Sequence, residues 1–234
     1  MTLPVEKSKP KENLWQYPIF LYGPPKIGKS TLVSEIPDVL FMNTGGGLDA
    51  LSVYQMGIST WLEFLESCAE IMKGGHQFKV LAIDTVDRLH KMCVNHICVQ
   101  NKISHPTDLS YGKGYDMVKD EFMRPLTKLA ISQYGLILIS HVREIEVSTR
   151  VSKYTKAVPT LQSHVWELID GITAIILYMT SEITPEGERR VIKTAPSETY
   201  VAGDRTKKLA RYGQIIIEDD GKNWDRIQEA FVKE

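Results

Sequence analysis

Cysteine is scarce in this chain: Cys68, Cys93 and Cys98 are three residues in 234. Three are too few for a disulfide framework and point to a reducing cytosol. No apolar run is long enough to span a membrane, and no membrane partner is expected. Neither sign of charge dominates. The net charge is −1, so there is no global basic field, and any nucleic-acid contact must come from a local patch. Internal repeats and low-complexity stretches are absent, which removes solenoids and compositionally disordered proteins. Residues 1–16 carry charge and proline but no apolar signal segment, and read as a flexible lead-in. What remains, 17–234, reads as a single α/β domain of ordinary composition, 43% hydrophobic and 24% charged, able to bury a sizeable core.

The chain is organised around Ile19-Phe-Leu-Tyr22, Gly23-Pro24-Pro25-Lys26-Ile27-Gly28-Lys29-Ser30 and Thr31-Leu-Val-Ser-Glu-Ile36. This is G-x-x-x-x-G-K-[ST] with a strand before it and a helix after it. Gly23 and Gly28 permit a tight turn whose N–H groups point inward at phosphate. Lys29 supplies a mobile point charge for the β- and γ-phosphates, and the Ser30 hydroxyl supplies a Mg²⁺ ligand. Chance would assemble the four fixed positions in roughly one chain in a hundred of this length, and the strand–loop–helix context lowers that further.

Further along, Val39-Leu40-Phe41-Met42 reads as a buried strand ending in Asn43-Thr44-Gly45-Gly46-Gly47, either a ligand loop or a flexible turn. Residues 60–73 read as a scaffold helix capped by Thr60, with Trp61, Leu62, Leu65, Ala69 and Met72 on one face. Val80-Leu81-Ala82-Ile83-Asp84 is a buried parallel strand ending in a carboxylate. Asp84 is either a Mg²⁺ residue beside the glycine loop or the N-cap of the next helix. That helix, 86–100, carries His90, Cys93, His96 and Cys98, whose spacing fits no zinc pattern. A polar loop spans 101–114, a helix containing Pro125 spans 115–132, and 135–141 is a buried strand ending at Ser140-His141. His141 points to the same rim as Asp84, as a γ-phosphate or DNA contact or as an ordinary paired histidine. Residues 142–158 alternate polar and apolar. Arg143, Arg150, Lys153 and Lys156 with Tyr154 suit either a phosphate backbone and a stacked base or a solvated hairpin. A short helix at 160–169 and a strand at 171–180 follow. A turn at Pro185-Glu186-Gly187 leads into Arg189–Lys193 as a hairpin, Arg205, Lys207 and Lys208 sit on a late loop, and a last strand at 215–217 precedes a helix at 224–232.

The glycine loop, VLAIDT, SYGKGYDMVKDEF, LISHVRE and AGDRTKKL occur in this order. With them the chain resembles the phage-encoded AAA-type ATP-binding proteins with a RecA-like core, the group that includes single-strand annealing proteins of phage recombination. The resemblance covers roughly residues 17–210. It implies a mostly parallel sheet flanked by helices with a C-terminal β-hairpin, ATP at Gly23–Thr31 and Mg²⁺ at Ser30 and Asp84. It implies Lys29, Asp84 and a strand-end sensor, His141, as catalytic residues, with Arg205 or Lys207 acting across a head-to-tail homo-oligomer interface. It also implies single-stranded DNA loops around 101–114, with Lys113, and 143–158, in a host cytoplasm. Relatives commonly carry Asp-x-Glu after the second strand. Here Asn43-Thr44-Gly45 stands there and Asp49 is the next carboxylate, which predicts slow hydrolysis and an ATP-bound state that works as a binding switch. Two other readings stay open. One is a P-loop kinase for a small molecule or nucleotide, against which the want of an arginine-rich lid before residue 143 counts. The other is an ATP-binding assembly module that binds a phage replication protein rather than DNA.

Overall fold

The structure is a computed structural model that describes residue 3, residues 5–185 and residues 187–233. Ten strands and six α-helices run in the order β1 (Ile19–Gly23), α1 (Lys29–Ser34), β2 (Val39–Asn43), β3 (Tyr54–Gly57), α2 (Trp61–Lys73), β4 (Val80–Asp84), α3 (Val86–Asn101), α4 (Lys113–Ala130), β5 (Gly135–Ser148), β6 (Lys153–Pro159), α5 (Ser163–Ile172), β7 (Ile175–Thr184), β8 (Gly187–Lys193), β9 (Gly203–Asp204), β10 (Gln214–Ile217) and α6 (Asn223–Val232) among the described residues. The sheet order is β10-β8-β7-β1-β5-β4-β2-β3. The six strands from β7 to β3 are parallel. Their C-terminal ends therefore share one rim. β7, β8 and β10 extend the sheet antiparallel, giving the expected C-terminal hairpin. Glu186 of its turn, like Met1, Thr2 and Pro4 of the expected lead-in, lies outside the described residues.

β1, β2, β4 and the first half of β5 are apolar on both faces because both are covered. Phe20 and Tyr22 of β1 point into a core with Trp61, Phe64 and Phe122, under α2 to α5. Ile19 and Leu21 point into the opposite core, with Leu32, Phe41, Trp224 and Phe231, under α1 and α6. The period-2 alternation of a strand divides them. Full burial of one such side chain stabilises by roughly 1.5–3 kcal/mol. Leu14–Gln16 form a 3-10 turn within the expected lead-in, and Leu14 is fully buried in the second core.

Several local expectations need correction. The buried face of α2 is Trp61, Phe64, Cys68 and Ile71, whereas Leu62 and Met72 are exposed. The i, i+3, i+7 row through Trp61 carries the bulkier rings, and the Trp61 Nε1–H donates to Glu121 on α4 at 2.9 Å, which fixes the helix rotation. α4 runs through Pro125 without interruption, with Pro125 on its buried side. α5 starts three residues later than expected, and β7 four. β3 is a short, mostly exposed edge strand with no alternation to announce it.

The second layer is tied to the sheet's end by one carboxylate. Glu35, after α1, accepts from the Asn223 side chain at 3.0 Å and the Trp224 N–H at 2.7 Å, so it serves the first turn of α6. Charge-assisted bonds at a helix N-terminus are the stronger kind. Glu35→Ala is expected to lower the unfolding free energy by about 2 kcal/mol, read from the midpoint of a urea titration. An unchanged midpoint would show that α6 docks through its apolar face alone.

Candidate nucleotide site

The strand ends converge by register. Gly23 at the end of β1 pairs with His141 of β5, and Asn43 at the end of β2 pairs with Asp84 of β4. Around this rim lies a cavity of about 290 Å³, lined by Lys26, Gly28, Lys29, Ser30, Asp84 and His141, with Pro25, Gly45 and Arg88 at its edges. Most of the residues singled out in the sequence for nucleotide and metal thus share one pocket. Gly23 is required by close approach, since a Cβ there would meet the Met179 carbonyl oxygen at 2.2 Å. Gly28 is required by its φ of +106°, a region side-chain-bearing residues avoid.

Lys29 is buried, and its Nζ donates to the carbonyl oxygens of Gly23 at 2.9 Å and Pro24 at 2.7 Å. Burial lowers its pKa from 10.5 to about 8, opposed by Asp84 and Asp87. A buried ammonium held only by neutral carbonyls is a site waiting for an anion, and triphosphate fits it. The Ser30 hydroxyl donates to Asp84 Oδ2 at 2.5 Å. Burial raises the Asp84 pKa, opposed by the Ser30 bond, by Lys29 and by His141. Two hard oxygen donors in contact at the phosphate end suit Mg²⁺, with Ser30 and Asp84 as the residues that would hold it. Asp84 is thus bonded to Ser30 rather than acting as a helix cap, and Thr85 is the residue preceding α3.

The Lys29 shift fixes a pH dependence. Phosphate binds the ammonium form, and in the free protein that form is lost as pH rises through about 8. Nucleotide affinity is expected to be flat from pH 7 to 7.5 and to fall above pH 8 by up to tenfold per pH unit. Stability of the nucleotide-free protein moves the other way. Between pH 8 and 10.5 the unfolded chain holds more protons on Lys29 than the native one, so stability rises with pH there. Nucleotide titrations across this range test the sign, and an affinity that is flat to pH 9.5 would contradict it.

Burial first, and then Lys29, holds the His141 pKa below the usual histidine value, while Asp87 and Asp84 oppose. Its Nδ1 is buried without a hydrogen-bond partner among the described residues. Asp87, unremarked in the sequence, is the hub behind it. It accepts from Ser140 Oγ at 2.9 Å, Thr160 Oγ1 at 2.5 Å and the His141 N–H at 3.3 Å, joining α3 to both ends of the β5–β6 hairpin. Its signal was position i+3 from Asp84, on the first turn of α3.

Two arginines were also missed. Arg88 lines the cavity and donates to the Gly45 carbonyl at 3.3 Å. Arg190 of β8 donates to the Ile27 carbonyl at 3.3 Å and pairs with Asp219. No local pattern marks Arg190, because hairpin register alone brings it to the glycine loop. Thr31 lines the groove between α1 and this Arg190–Asp219 pair. Arg205 and Lys207 lie elsewhere. β9 pairs with the start of β7, at the rim opposite the cavity, and Arg205 donates to the carbonyls of Asp170 at 2.8 Å and Gly171 at 3.3 Å at the end of α5.

At the second strand's end, Asn43 Oδ1 accepts from the N–H groups of Gly45 and Gly46, and its amide donates to Gln55. Asn43 shapes the glycine loop and offers no carboxylate, and Asp49 is exposed outside the cavity. The β5–β6 segment is a hairpin, and its register sorts the basic residues by face. Arg143, Lys156 and Tyr154 share one face with Ile145. Lys153 is on the other, paired with Glu146 at 2.9 Å. Arg150 is at the exposed tip, and Lys113 opens α4 on the far side of the 101–112 loop. Cys93 and Cys98 are buried core, and among the described residues no three His, Cys, Asp or Glu side chains gather as a metal site.

Residues 16–206 match the family described as AAA domain. No curated protein matches the chain.

Proposed function

This chain belongs to the AAA domain family of P-loop ATPases, and on that premise we propose that it uses Mg·ATP to control its grip on single-stranded DNA, as an annealing or recombination ATPase of phage DNA metabolism. The single observation that carries this reading is the course of β5. Its first half, Gly135–Ser140, is buried in the sheet between β1 and β4. His141 then reaches the nucleotide cavity, and the second half becomes the exposed hairpin with Arg143, Tyr154 and Lys156. One continuous strand, anchored through Asp87, joins the phosphate end of the cavity to a basic, aromatic-bearing surface. Such an element can bias two sites at once.

In this account Lys29 leaves the Gly23 and Pro24 carbonyls for the β- and γ-phosphate oxygens. His141 meets the γ-phosphate or its attacking water. Mg²⁺ held by Ser30 and Asp84 would supply charge neutralisation at the phosphates. With Gly45 where a carboxylate would orient water, hydrolysis is slow and the ATP-bound state persists as the DNA-binding state. Head-to-tail copies, with Arg205 or Lys207 of one at the nucleotide of the next, are part of the proposal. Its test is fluorescence anisotropy of a labelled single-stranded oligomer at low and high salt, with and without Mg·ATP. Tight, salt-sensitive binding that strengthens with Mg·ATP is expected. Nucleotide binding with no DNA binding would turn the reading towards a protein-binding assembly module.

A further inference from the structure

A second cavity, of about 570 Å³, adjoins the nucleotide cavity and shares Thr85, Arg88 and His141 with it. Its volume falls in the range of small-molecule pockets, roughly 300–1,000 Å³. It lies at the root of the β5–β6 hairpin, between α3 and the Thr160–Gln162 segment. Its mouth carries the exposed cations Arg88 and Lys91. Its floor includes the apolar Val94 and Leu161, and Asn95 and Gln162 offer carboxamides. The Gln162 side chain makes no capping bond at the start of α5, so it is available. His90 lines the cavity at 7% exposure, with an Nε2 that finds no partner among the described residues. Its ring stands edge-on to Phe122 at 5.0 Å, which fixes its orientation. Burial, aided by His164, lowers its pKa to about 4, so the ring is neutral at pH 7. A buried polar atom without a partner carries a cost that a ligand's hydrogen bond relieves.

We propose that this cavity receives one unstacked base of the DNA strand, with its phosphates on Arg88 and Lys91 and its polar edge facing His90, Asn95 and Gln162. The inference rests on the DNA-binding reading above and goes beyond it by naming a base pocket beside the γ-phosphate end. A neutral imidazole and two carboxamides suit the mixed donors and acceptors of a base edge, and cations at the mouth suit its backbone. His141, common to both cavities, would report the base to the nucleotide.

The experiment compares the intact protein's affinity for a single-stranded oligomer with its affinity for the same backbone carrying abasic positions, at fixed salt and saturating Mg·ATP. The intact protein is expected to bind the base-bearing strand about tenfold more tightly. Gln162→Ala, an exposed substitution that removes no cap, is expected to shrink that ratio to about threefold or less, and His90→Leu to do the same if it folds. Lys91→Ala is expected to weaken both strands alike and to lower the salt slope by about one. A wild-type ratio near one, or a ratio that both pocket variants preserve, overturns the base pocket while leaving DNA binding intact. If the intact protein binds neither strand, the DNA-binding reading fails with it. Phosphorylation of a nucleoside monophosphate at the expense of ATP would identify the cavity as an acceptor site instead and also overturns the proposal.

Discussion

Alanine at position 29 is expected to cost Mg·ATP affinity a factor of about 10² to 10³. Lys29 is the buried cation of the cavity, and its present partners are two backbone carbonyls. Two charge-assisted bonds to phosphate are worth roughly 1.5–3 kcal/mol each, partly replaced by water in the variant, and each 1.4 kcal/mol is tenfold. The fold responds differently. Burial disfavours the charged form of Lys29 by more than Asp84 and Asp87 favour it, so its removal relieves more cost than attraction in the nucleotide-free protein. The melting temperature without nucleotide is expected to hold or rise, while the shift that nucleotide adds disappears. An affinity loss accompanied by a large fall in melting temperature would mean that Lys29 serves the fold more than the phosphate.

The second large effect is a gain. Glutamate at position 45 is expected to raise the hydrolysis rate about a hundredfold, the low end of what a positioned general base contributes. Gly45 lines the cavity two residues beyond Asn43, and its φ is not in the left-handed region, so the backbone tolerates a side chain there. The new Cβ would sit 3.3 Å from an Arg88 Nη1, and Arg88 then competes with water for the carboxylate. This competition is why the low end applies, and Arg88→Ala in the same chain separates the two contributions. A rate in Gly45→Glu equal to that of the parent would sink the idea that the missing carboxylate is what slows turnover.

The glycine loop and the Asp84 strand were legible because their signals are local. A turn, a helix start and an apolar run each declare themselves within about ten residues. The register of the parallel strands then brings Gly23, Asp84 and His141 to one rim without further instruction. What escaped is what depends on distant pairing. Arg190 reaches Ile27 across 163 residues through the β7–β8 hairpin, and Thr160 reaches Asp87 across 73. The face of α2 was misread because Leu62 and Met72 are apolar yet exposed, and helical spacing alone cannot tell a covered row from an uncovered one. Edge strand β3 has four residues, too few for a period. The hairpin's basic residues were visible as a group, but their split into two faces required the β5–β6 register, which sets Lys153 against Glu146 and leaves Arg143, Tyr154 and Lys156 together.

The central claim is that one strand, β5, couples the nucleotide cavity to the DNA surface. Coupling between two ligands is reciprocal, so it can be read from either side. The most direct measurement is a calorimetric titration of Mg·ATP into the intact protein, alone and saturated with a single-stranded oligomer. The account predicts that DNA tightens Mg·ATP by the same factor by which Mg·ATP tightens DNA, at least about fivefold, and that Asp87→Ala, which frees the hairpin from α3, brings the factor towards one. Equal Mg·ATP affinities with and without DNA, in a protein that binds both, would contradict it.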